Sequence, residues 1–362
     1  MSGIISKLRN MNNIENVTFA NLTAVEAKIE IGKIKFTEVL NSRVDDFVSL
    51  VVMNSKLYVL GFMGTTCIAR EVPVSVQYKS SELPFTFSVS RDILKVMDNR
   101  EELTVVLDKG IINWSFKFGE GYVVKSMKSV NSMYDVKKYL DFIFNSEVGN
   151  EEGSVNTKDL NVMRKVLSTV TTDPRERNII LGKGSISAIL PTFAIYLRTS
   201  VDTDMLLSEN ILSNLPRNNV EFTAKTYKGL SGLLSKGTNP YYIIFRSLVN
   251  DSFIEEYMDL PIKWIGSVDN KIKDALGVLS FGEDREMELN FNKETQTVII
   301  KDLDDDRNQY IGRSKVLEEG NVRLNSMVKG FPELKNIGRV DKKGYEYMKA
   351  ISLQEGHICL IR

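Results

Sequence analysis

The stretch LPFTFSVSRDILKVMDNREELTVVLDKGIINWSFKFGEGYVVKSMK, residues 83–128, decides the fold. Phe85–Val89 alternates apolar and polar side chains, which is typical of a half-buried strand. Ser90 then stands where a helix N-cap belongs, with Asp92 placed to favour the positive end of the helix dipole. Three more strand-like runs follow, separated by two glycine-containing hairpin signals. The stretch therefore predicts one β-α-β-β-β unit.

The same order of elements recurs along the chain, and such a period decides the architecture. We predict six copies, which begin near residues 27, 85, 155, 220, 263 and 321. In the fourth copy Lys225–Ser235 is predicted as the helix and Ile254–Met258 as a strand; in the sixth, Met327–Lys335 is the predicted helix. Taken in pairs, the copies predict an α+β protein of three domains. The predicted boundaries are 1–26 for an N-terminal extension and 27–145, 146–259 and 260–362 for the domains.

Composition narrows the class of protein. Of the 362 residues, 43% are hydrophobic and 26% charged, with a formal net charge of zero, as in ordinary soluble globular proteins. No run approaches the roughly 20 apolar residues of a membrane span, and the first residues lack the apolar core of a signal peptide. Only Cys67 and Cys359 are present, which excludes a disulfide scaffold and suits a reducing compartment. We therefore expect a cytoplasmic protein.

Residues for enzyme chemistry are scarce. His357 is the single histidine. A histidine-based triad, a histidine general base or a histidine-rich zinc site is therefore not expected. Gly182–Ser185 lacks the spacing of a phosphate-binding loop. The acidic run 302–308 imitates the start of a calcium loop, but Arg307 stands where that loop needs glycine. We expect no catalytic residue, no metal and no cofactor.

Several phrases carry a resemblance to a known family. They are Leu57–Thr66, Phe87–Met97 with the strand after it, and Val155–Thr199. In these the chain resembles the bacterial-type DNA sliding clamp, the β-clamp family of polymerase processivity factors. The first phrase ends in threonine where the family has an acid, and Leu190–Leu197 replaces the family's Ala-Thr-Asp-Gly-His-Arg-Leu phrase. These departures indicate a divergent member, bacterial or viral.

The resemblance implies a mechanism without catalysis. Each domain would be a DNA-clamp domain of two β-α-β-β-β units, and two chains would close head to tail into a homodimeric ring. Helices would line the ring and sheets would form its outside. The ring would encircle double-stranded DNA without reading its sequence, while a DNA polymerase and a clamp loader would bind through short peptides. The expected location is the bacterial cytoplasm, or that of the infected cell for a viral protein.

Basic residues on the predicted helices are the candidates for DNA contact, because phosphate contacts need no base readout. The fourth helix holds three lysines and no acid, and 158–177 holds five basic and three acidic residues. The first and fifth helices are neutral. The predicted DNA-binding residues are Lys158, Arg164, Lys165, Lys225, Lys228, Lys236, Arg91 and Lys95. The alternative is that these are ordinary solvated helix faces.

A partner groove is expected between the middle and last domains, near Gly356–Arg362. The predicted groove residues are Pro191, Leu197, Ile358, Leu360, Ile361 and Arg362. The alternative is that they are plain strand and core residues.

A second class of function stays open at this point. The chain could be a β-rich viral structural protein or a transcription-accessory adaptor that encircles no DNA. A relative with the clamp fold that has lost its ring is a third possibility. Ring closure on DNA separates the first reading from the others.

Overall fold

A computed structural model gives the fold. The structure describes residues 27–31, 46–53, 56–78, 85–100, 102–108, 111–128, 135–145 and 153–362, the last range without 183, 202, 217, 236, 238–239, 247–253, 306 and 355. The predicted extension 1–26 and Lys236 lie outside the described residues, as does most of 37–47, where the β-α-β-β-β order of the first copy predicts its helix.

Strands dominate the described chain. In chain order they are β1 (Ala27–Ile31), β2 (Phe47–Met53), β3 (Lys56–Met63), β4 (Thr66–Tyr78), β5 (Phe85–Ser90), β6 (Leu103–Asp108), β7 (Ile111–Phe118), β8 (Gly121–Lys128), β9 (Ser154–Asn156), β10 (Ile179–Gly182), β11 (Ser185–Leu190), β12 (Phe193–Arg198), β13 (Met205–Leu207), β14 (Glu221–Tyr227), β15 (Leu230–Ser235), β16 (Tyr241–Phe245), β17 (Ile262–Ser267), β18 (Glu286–Asn292), β19 (Thr297–Asp302), β20 (Gln309–Arg313), β21 (Gly320–Asn325), β22 (Leu334–Val340), β23 (Lys349–Leu353) and β24 (Ile358–Ile361). The helices are α1 (Arg91–Met97), α2 (Val136–Asn145), α3 (Thr157–Val170), α4 (Glu209–Leu212), α5 (Ile254–Met258) and α6 (Asn270–Leu279), with a 3₁₀ turn at Ser326–Gly330.

The chain divides into two compact units. The first comprises Met1–Ser154 and Pro216–Ser247, and the second Val155–Leu215 and Leu248–Arg362. This division cuts through the predicted middle domain, 146–259, so the partition into three domains stays a prediction.

The first unit is built on one branched antiparallel sheet. Its strands run in the order β8-β7-β6-β1-β4-β16-β15-β14, and β3, β2 and β5 continue from β4 as a branch. The branch exists because β4 is 13 residues long. Its first part pairs with β3 and β16, and residues 74–78 pair with β1.

Two apolar layers cover opposite faces of this sheet. In β2, Leu50 belongs to the layer that contains Leu94 and Met97 of α1, whereas Val51 belongs to the layer under α2. Side chains alternate between the faces of a strand, so a strand buried on both faces needs apolar residues at every position. This explains the nearly unbroken apolar run of β2, FVSLVVM.

The second unit contains two sheets. One runs β13-β10-β11-β12-β24-β23-β22-β17, and the other runs β20-β19-β18-β21. On the first sheet, α5 covers the face that carries Ala194, Tyr196 and Leu360, hereafter the α5 face. The opposite face carries Phe193, whose ring meets Phe331, directly after the 3₁₀ turn, edge to face at 6.0 Å between centroids. Both α3 and α6 lie against that 3₁₀ turn.

Most predicted elements are confirmed. The second, third and fifth copies each contain the expected strand, helix and three strands, and the described part of the first contains its strands. Ser90 caps α1, its hydroxyl accepting the Asp92 N–H at 3.3 Å. The longest described helix, α3, has 14 residues, and none of the helices in the described ranges is long and apolar enough to cross a membrane.

The predicted helix Lys225–Ser235 is wrong, because this segment forms the β14–β15 hairpin. Lys228 and Gly229 make its turn, with φ of +47° and +75°. Glycine within a helix costs roughly 1 kcal/mol relative to alanine, and this segment contains two, whereas a two-residue hairpin turn needs φ above zero. The strand and helix of the fourth copy are β13 and α4, so this copy begins near 205 rather than 220.

Two further predictions are corrected. Ile254–Met258 is the helix α5 rather than a strand, with Glu255 and Glu256 in its first turn, where the helix dipole favours acids. The predicted helix Met327–Lys335 is only the 3₁₀ turn, and β22 begins at Leu334. Pro332 explains the second error, because proline cannot continue a helix.

Candidate DNA-binding and partner-binding surfaces

Helix α3 carries three of the predicted DNA-binding residues. The Asn156 side chain caps the helix by accepting the Lys158 N–H at 2.7 Å. Lys158 and Lys165 are exposed and lie two turns apart on one face. Arg164 instead donates through Nη2 and Nε to Glu209 Oε1 of α4, at 2.7 and 3.1 Å. Arg164 therefore holds α4 against α3, while the two lysines face solvent.

Lys273 of α6 extends this basic surface. Its Nζ donates to the Phe331 carbonyl at 2.6 Å. Burial lowers the pKa of Lys273, and the nearby Lys165 ammonium lowers it further, while the carboxylates of Asp274 and Glu333 offset part of the decrease. An anion beside two neighbouring ammonium groups would relieve their repulsion. The sequence prediction missed Lys273 because its helix is neutral as a whole, and the net charge of a helix hides the face on which each charge lies.

The cations of α1 lie beside carboxylates. Arg91 Nη2 is 3.6 Å from Asp46 Oδ1, and Lys95 Nζ is 3.1 Å from Asp92 Oδ1. Both residues are where the sequence predicted them, on one short helix. Their local field is weakened, because each charge has an opposite charge next to it.

The lysines predicted on a fourth helix do not form a helical face. Lys225 lies within β14 and is 8% exposed. Lys228 sits in the hairpin turn, with its Nζ 3.1 Å from Asp141 Oδ2 of α2. The prediction that these lysines share one helix is therefore wrong, because the segment is a hairpin.

The predicted groove residues are divided between the two faces of one sheet. Phe193 pairs with Ile361, and Tyr196 pairs with Ile358, in the β12–β24 register. Because side chains alternate along a strand, Ile358 and Leu360 lie on the α5 face, whereas Leu197 and Ile361 lie on the opposite face. One groove cannot contain all four, and the prediction is wrong on this point.

Three of the predicted groove residues differ in how accessible they are. Leu360 is fully buried beneath α5, so a partner cannot reach it without moving that helix. Pro191 is exposed in the β11–β12 turn. Arg362 is exposed, its backbone N–H donates to Thr192 O at 3.0 Å, and its guanidinium lies 5.9 Å from the Tyr347 ring centre.

The α5 face does present apolar side chains that a partner can touch. Six partly buried residues pack against the cluster that contains Leu360, and we call them the α5 apolar surface: Ile189, Tyr257, Ile262, Trp264, Tyr345 and Ile358. Of these, sequence reasoning found only Ile358. Trp264 and Tyr345 gave no separate signal, because only the folded chain brings them to the cluster that contains Leu360.

A depression adjoins this surface. It has a volume of about 440 Å³ and is lined by Glu255, Glu256 and Asp259 of α5 together with Lys342 and Tyr345. Tyr345 belongs both to the depression and to the α5 apolar surface. Tyr345 therefore connects the apolar residues of this surface with the charged residues of the depression.

Two strands end their sheets with apolar side chains exposed. On β8, Tyr122 is 63% and Val124 67% exposed, and on β20 Ile311 is 62% exposed. Val278 of α6, which lies against β20, and Phe281 just after that helix are 71% and 68% exposed. Phe281 also has a φ of +50°, which is costly for a residue other than glycine and directs attention to a functional role. Edge strands of this kind are available for pairing with another chain.

The two cysteines and the acidic run 302–308 have structural surroundings in the fold. Burial raises the pKa of the Cys67 and Cys359 thiols, which disfavours the reactive thiolate. Among the described ranges, no group of three or more His, Cys, Asp or Glu side chains is placed to hold a metal ion. In the acidic run 302–308, Asp302 is buried against Arg285, with Oδ2 and Nη1 3.1 Å apart. An arginine thus neutralises the first acid of that run.

Comparison with known structures assigns the fold. The chain is similar to a DnaN sliding clamp, the DNA polymerase III β subunit, from Pseudomonas aeruginosa, with 9% identity, a TM-score of 0.59, and 93% and 98% of the two chains covered. A Borrelia burgdorferi DNA polymerase III β subunit gives 12% identity and a TM-score of 0.53, covering 99% and 95%. The Helicobacter pylori β clamp bound to a DNA ligase peptide gives 10% identity and a TM-score of 0.54, with 92% of this chain and 99% of that chain covered.

These likenesses cover nearly the whole of each chain, so the protein has the fold of the bacterial DNA sliding clamp. No family model matches this sequence, and no curated protein does. The sequence has therefore diverged much further than the fold.

Proposed function

We propose that the protein is a DNA sliding clamp, a homodimeric ring that encircles duplex DNA and tethers a replicative DNA polymerase. The observation that carries the proposal is the clamp fold over more than nine-tenths of the chain. The fold alone does not define function, so the proposal also needs surfaces with suitable chemistry. Three such surfaces support it.

The first surface contacts DNA. Lys158, Lys165 and Lys273 place positive charge on α3 and α6. Such contacts to phosphates give binding that depends on salt rather than on sequence, which sliding requires. Arg91 and Lys95 contribute less because carboxylates accompany them.

The second surface closes the ring. The β8 edge of one chain would pair with the β20 edge of the next, so that two identical head-to-tail contacts form. The exposed side chains of Val124, Val278 and Phe281 would be buried there. Pairing would also remove edges that otherwise invite aggregation.

The third surface binds partner peptides. The α5 apolar surface replaces the groove predicted from sequence, keeping Ile358 and excluding Leu360. The Helicobacter pylori clamp, which shares the fold, was solved with a DNA ligase peptide. By analogy, a polymerase and a clamp loader would bind this chain through short segments with apolar side chains.

The role is non-catalytic and needs no cofactor, and it places the protein in the cytoplasm of a bacterium or, for a viral protein, of the infected cell. Light scattering together with electron-microscope images of the same chromatographic peak tests the proposal. A particle of two chains with a central hole wide enough for duplex DNA supports it. A particle of one chain at every concentration, with and without DNA, contradicts it and favours an adaptor.

A further inference from the structure

We propose that β8 of one chain and β20 of a second copy pair antiparallel in a single register, with Val124 opposite Ile311. The inference rests on the proposed ring closure and deepens it, because it assigns each edge residue its partner in the other copy. The same register brings two further pairs together, namely Tyr122 with Arg313 and Ser126 with Gln309.

Backbone hydrogen bonds show which groups of β20 are free. The Asp302 N–H donates to the Asn308 carbonyl at 3.1 Å, and the Ser314 N–H donates to the Gln296 carbonyl at 3.0 Å. Because bonded and non-bonded positions alternate in an antiparallel ladder, the even-numbered residues of β20 direct their N–H and C=O groups to β19. The groups of the odd-numbered residues point to the open edge: Gln309, Ile311 and Arg313.

The open edge of β8 has the complementary alternation. A two-residue turn at 119–120, where Gly119 has a φ of +61°, joins β7 to β8, and Phe118 pairs with Gly121 across it. This closing pair is hydrogen-bonded in a two-residue hairpin, so the odd-numbered residues of β8 bond to β7. The groups that point to the open edge belong to Tyr122, Val124 and Ser126. A register shifted by one residue is therefore excluded, because it would not bring the free groups of the two edges together.

Side chains select among the registers that remain. Val124 and Ile311 are 67% and 62% exposed, and each is the most exposed apolar side chain of its strand. Placed opposite each other, they bury apolar surface on both chains. A shift of two residues in either direction would place Val124 opposite Gln309 or Arg313 instead. The register with Val124 opposite Ile311 therefore buries the most apolar surface.

This register also gives Arg313 a partner. Arg313 is exposed, and it forms no ion pair with any other residue of the described ranges. The Tyr122 hydroxyl donates to Glu102, which also lies 3.3 Å from Lys117 Nζ, yet the Tyr122 side chain stays 63% exposed. A guanidinium directly across from an aromatic ring can lie on its face. Because Glu102 already fixes the ring, little conformational freedom is lost when the arginine binds.

The charges at the ends of the edges favour the antiparallel direction. In a parallel pair centred on Val124 and Ile311, the exposed ammonium groups of Lys128 and Lys315 would approach and repel each other. In the antiparallel register Lys128 approaches Arg307 instead, whose Nε lies 2.8 Å from Asp305 Oδ1. That carboxylate offsets the charge of Arg307.

Disulfide formation in the full-length protein tests the register. Each chain carries one new cysteine, and two chains are mixed and oxidised without a cross-linker; the two native cysteines are fully buried. Directly opposed Cα atoms lie about 5.5 Å apart, within disulfide range, whereas diagonal neighbours lie about 7 to 8 Å apart. Val124→Cys mixed with Ile311→Cys should give about tenfold more covalent dimer than Val124→Cys mixed with Gln309→Cys or with Arg313→Cys.

The outcomes separate the register from the ring. A higher yield from either shifted mixture overturns the register and leaves head-to-tail closure standing. No disulfide in any mixture, although light scattering shows two-chain particles, overturns the pairing of β8 with β20. Equal yield from Val124→Cys alone indicates an isologous contact, which contradicts head-to-tail closure. Single chains at every concentration contradict the proposed ring, and the register with it.

A double-mutant cycle tests the contact of Arg313 with Tyr122. Arg313→Gln should weaken dimerisation by about three- to fivefold, and by much less in a chain that also carries Tyr122→Leu. Lys343→Gln is the matched control, because it removes one exposed positive charge from the β22–β23 connection, and it should leave dimerisation unchanged. Equal losses for Arg313→Gln in both backgrounds would contradict this contact.

Discussion

The two compact units end in sheet edges that are alike in backbone and unlike in side chains. In the first unit, β8 has eight residues, and Val106, Ile111 and Val124 leave exposed apolar surface on the sheet face turned away from α1. In the second unit, β20 has five residues, and its exposed apolar side chain is that of Ile311, which is 62% exposed. The Glu288–Arg323 ion pair, at 3.0 Å, lies on the same face but on the far strands β18 and β21. An isologous contact joins the same edge of two chains. A head-to-tail contact instead needs two different edges on each chain. The pair β8 and β20 meets the second requirement.

The units differ in the same way in their basic helices. The α1 cations of the first unit each lie within ion-pair or near ion-pair distance of a carboxylate, while Lys165 and Lys273 of the second unit lie near each other, with Asp274 and Glu333 also near Lys273. Equal numbers of cations on two helices therefore do not mean equal attraction for DNA. The second unit should contribute most of the phosphate contacts.

The largest effect should come from breaking either edge. Val124→Asp on β8, or Val278→Asp with Phe281→Asp beside β20, would bury a charge in the contact and weaken dimerisation by about 100-fold or more. Light scattering should show a single chain for each variant, with unchanged circular dichroism. A mixture of the two variants should regain a two-chain particle, because one intact β8 meets one intact β20.

The mixture sharpens the comparison between the edges. If the contact were isologous through β8, the β20-side variant would stay dimeric and only Val124→Asp would dissociate. That result would contradict head-to-tail closure while leaving the fold untouched. Tyr347→Asp is the control, because Tyr347 is half exposed and lies outside both edges.

A smaller effect is expected from the basic helices. Lys165→Gln with Lys273→Gln should lower DNA affinity by about tenfold and reduce the slope of log affinity against log salt by about two. The matched pair Arg91→Gln with Lys95→Gln removes the same formal charge from α1 and should cost much less. Equal losses for the two pairs would contradict the assignment of DNA contact chiefly to the second unit.

Arg164 should behave unlike its neighbour Lys165. Removing the Arg164–Glu209 pair by Arg164→Ala should lower the free energy of unfolding by about 1 kcal/mol. A double-mutant cycle with Glu209→Ala measures the coupling by denaturant unfolding. Lys165→Ala should leave stability nearly unchanged. A coupling near zero would mean that α4 does not depend on this pair.

The smallest effect concerns pH. Hydrogen bonds from Arg175 lower the pKa of Asp173 to about 2, below its ordinary value of 3.8. A depressed carboxyl pKa contributes stability that is fully present above the ordinary value and is lost as pH falls from there through about 2. Carboxyl titration by NMR should show the low value and its return toward 3.8 in Arg175→Gln. An unchanged titration in the variant would contradict the assigned cause.

Much of the fold could be predicted from the sequence, because strand alternation, capping residues and turn glycines are local signals. Ser90, Asn156 and Asp269 each precede a helix that their side chains cap. The hairpin β14–β15 was not predicted, although Gly229 and Gly232 within it disfavour a helix. The four-residue helix α4 escaped too, because its stability depends on packing and on Arg164 rather than on its own sequence.

The candidate sites were less predictable because they depend on contacts distant in sequence. Whether Leu360 or Ile358 faces a partner is decided by α5, which covers the first and leaves the second partly open. The separation of Leu197 and Ile361 from those residues follows from strand register. Neither the cover by α5 nor the strand register can be predicted from the local sequence near Arg362.

Covalent closure on DNA tests the central claim most directly. Val124→Cys and Ile311→Cys are placed in one chain, where the two native cysteines are fully buried and do not compete for a thiol cross-linker. The protein is cross-linked in the presence of circular plasmid and then denatured in SDS. We predict that cross-linked dimers stay with the circular plasmid and are released when a restriction enzyme linearises it. Cross-linked dimers that migrate free of the circular plasmid would contradict encirclement.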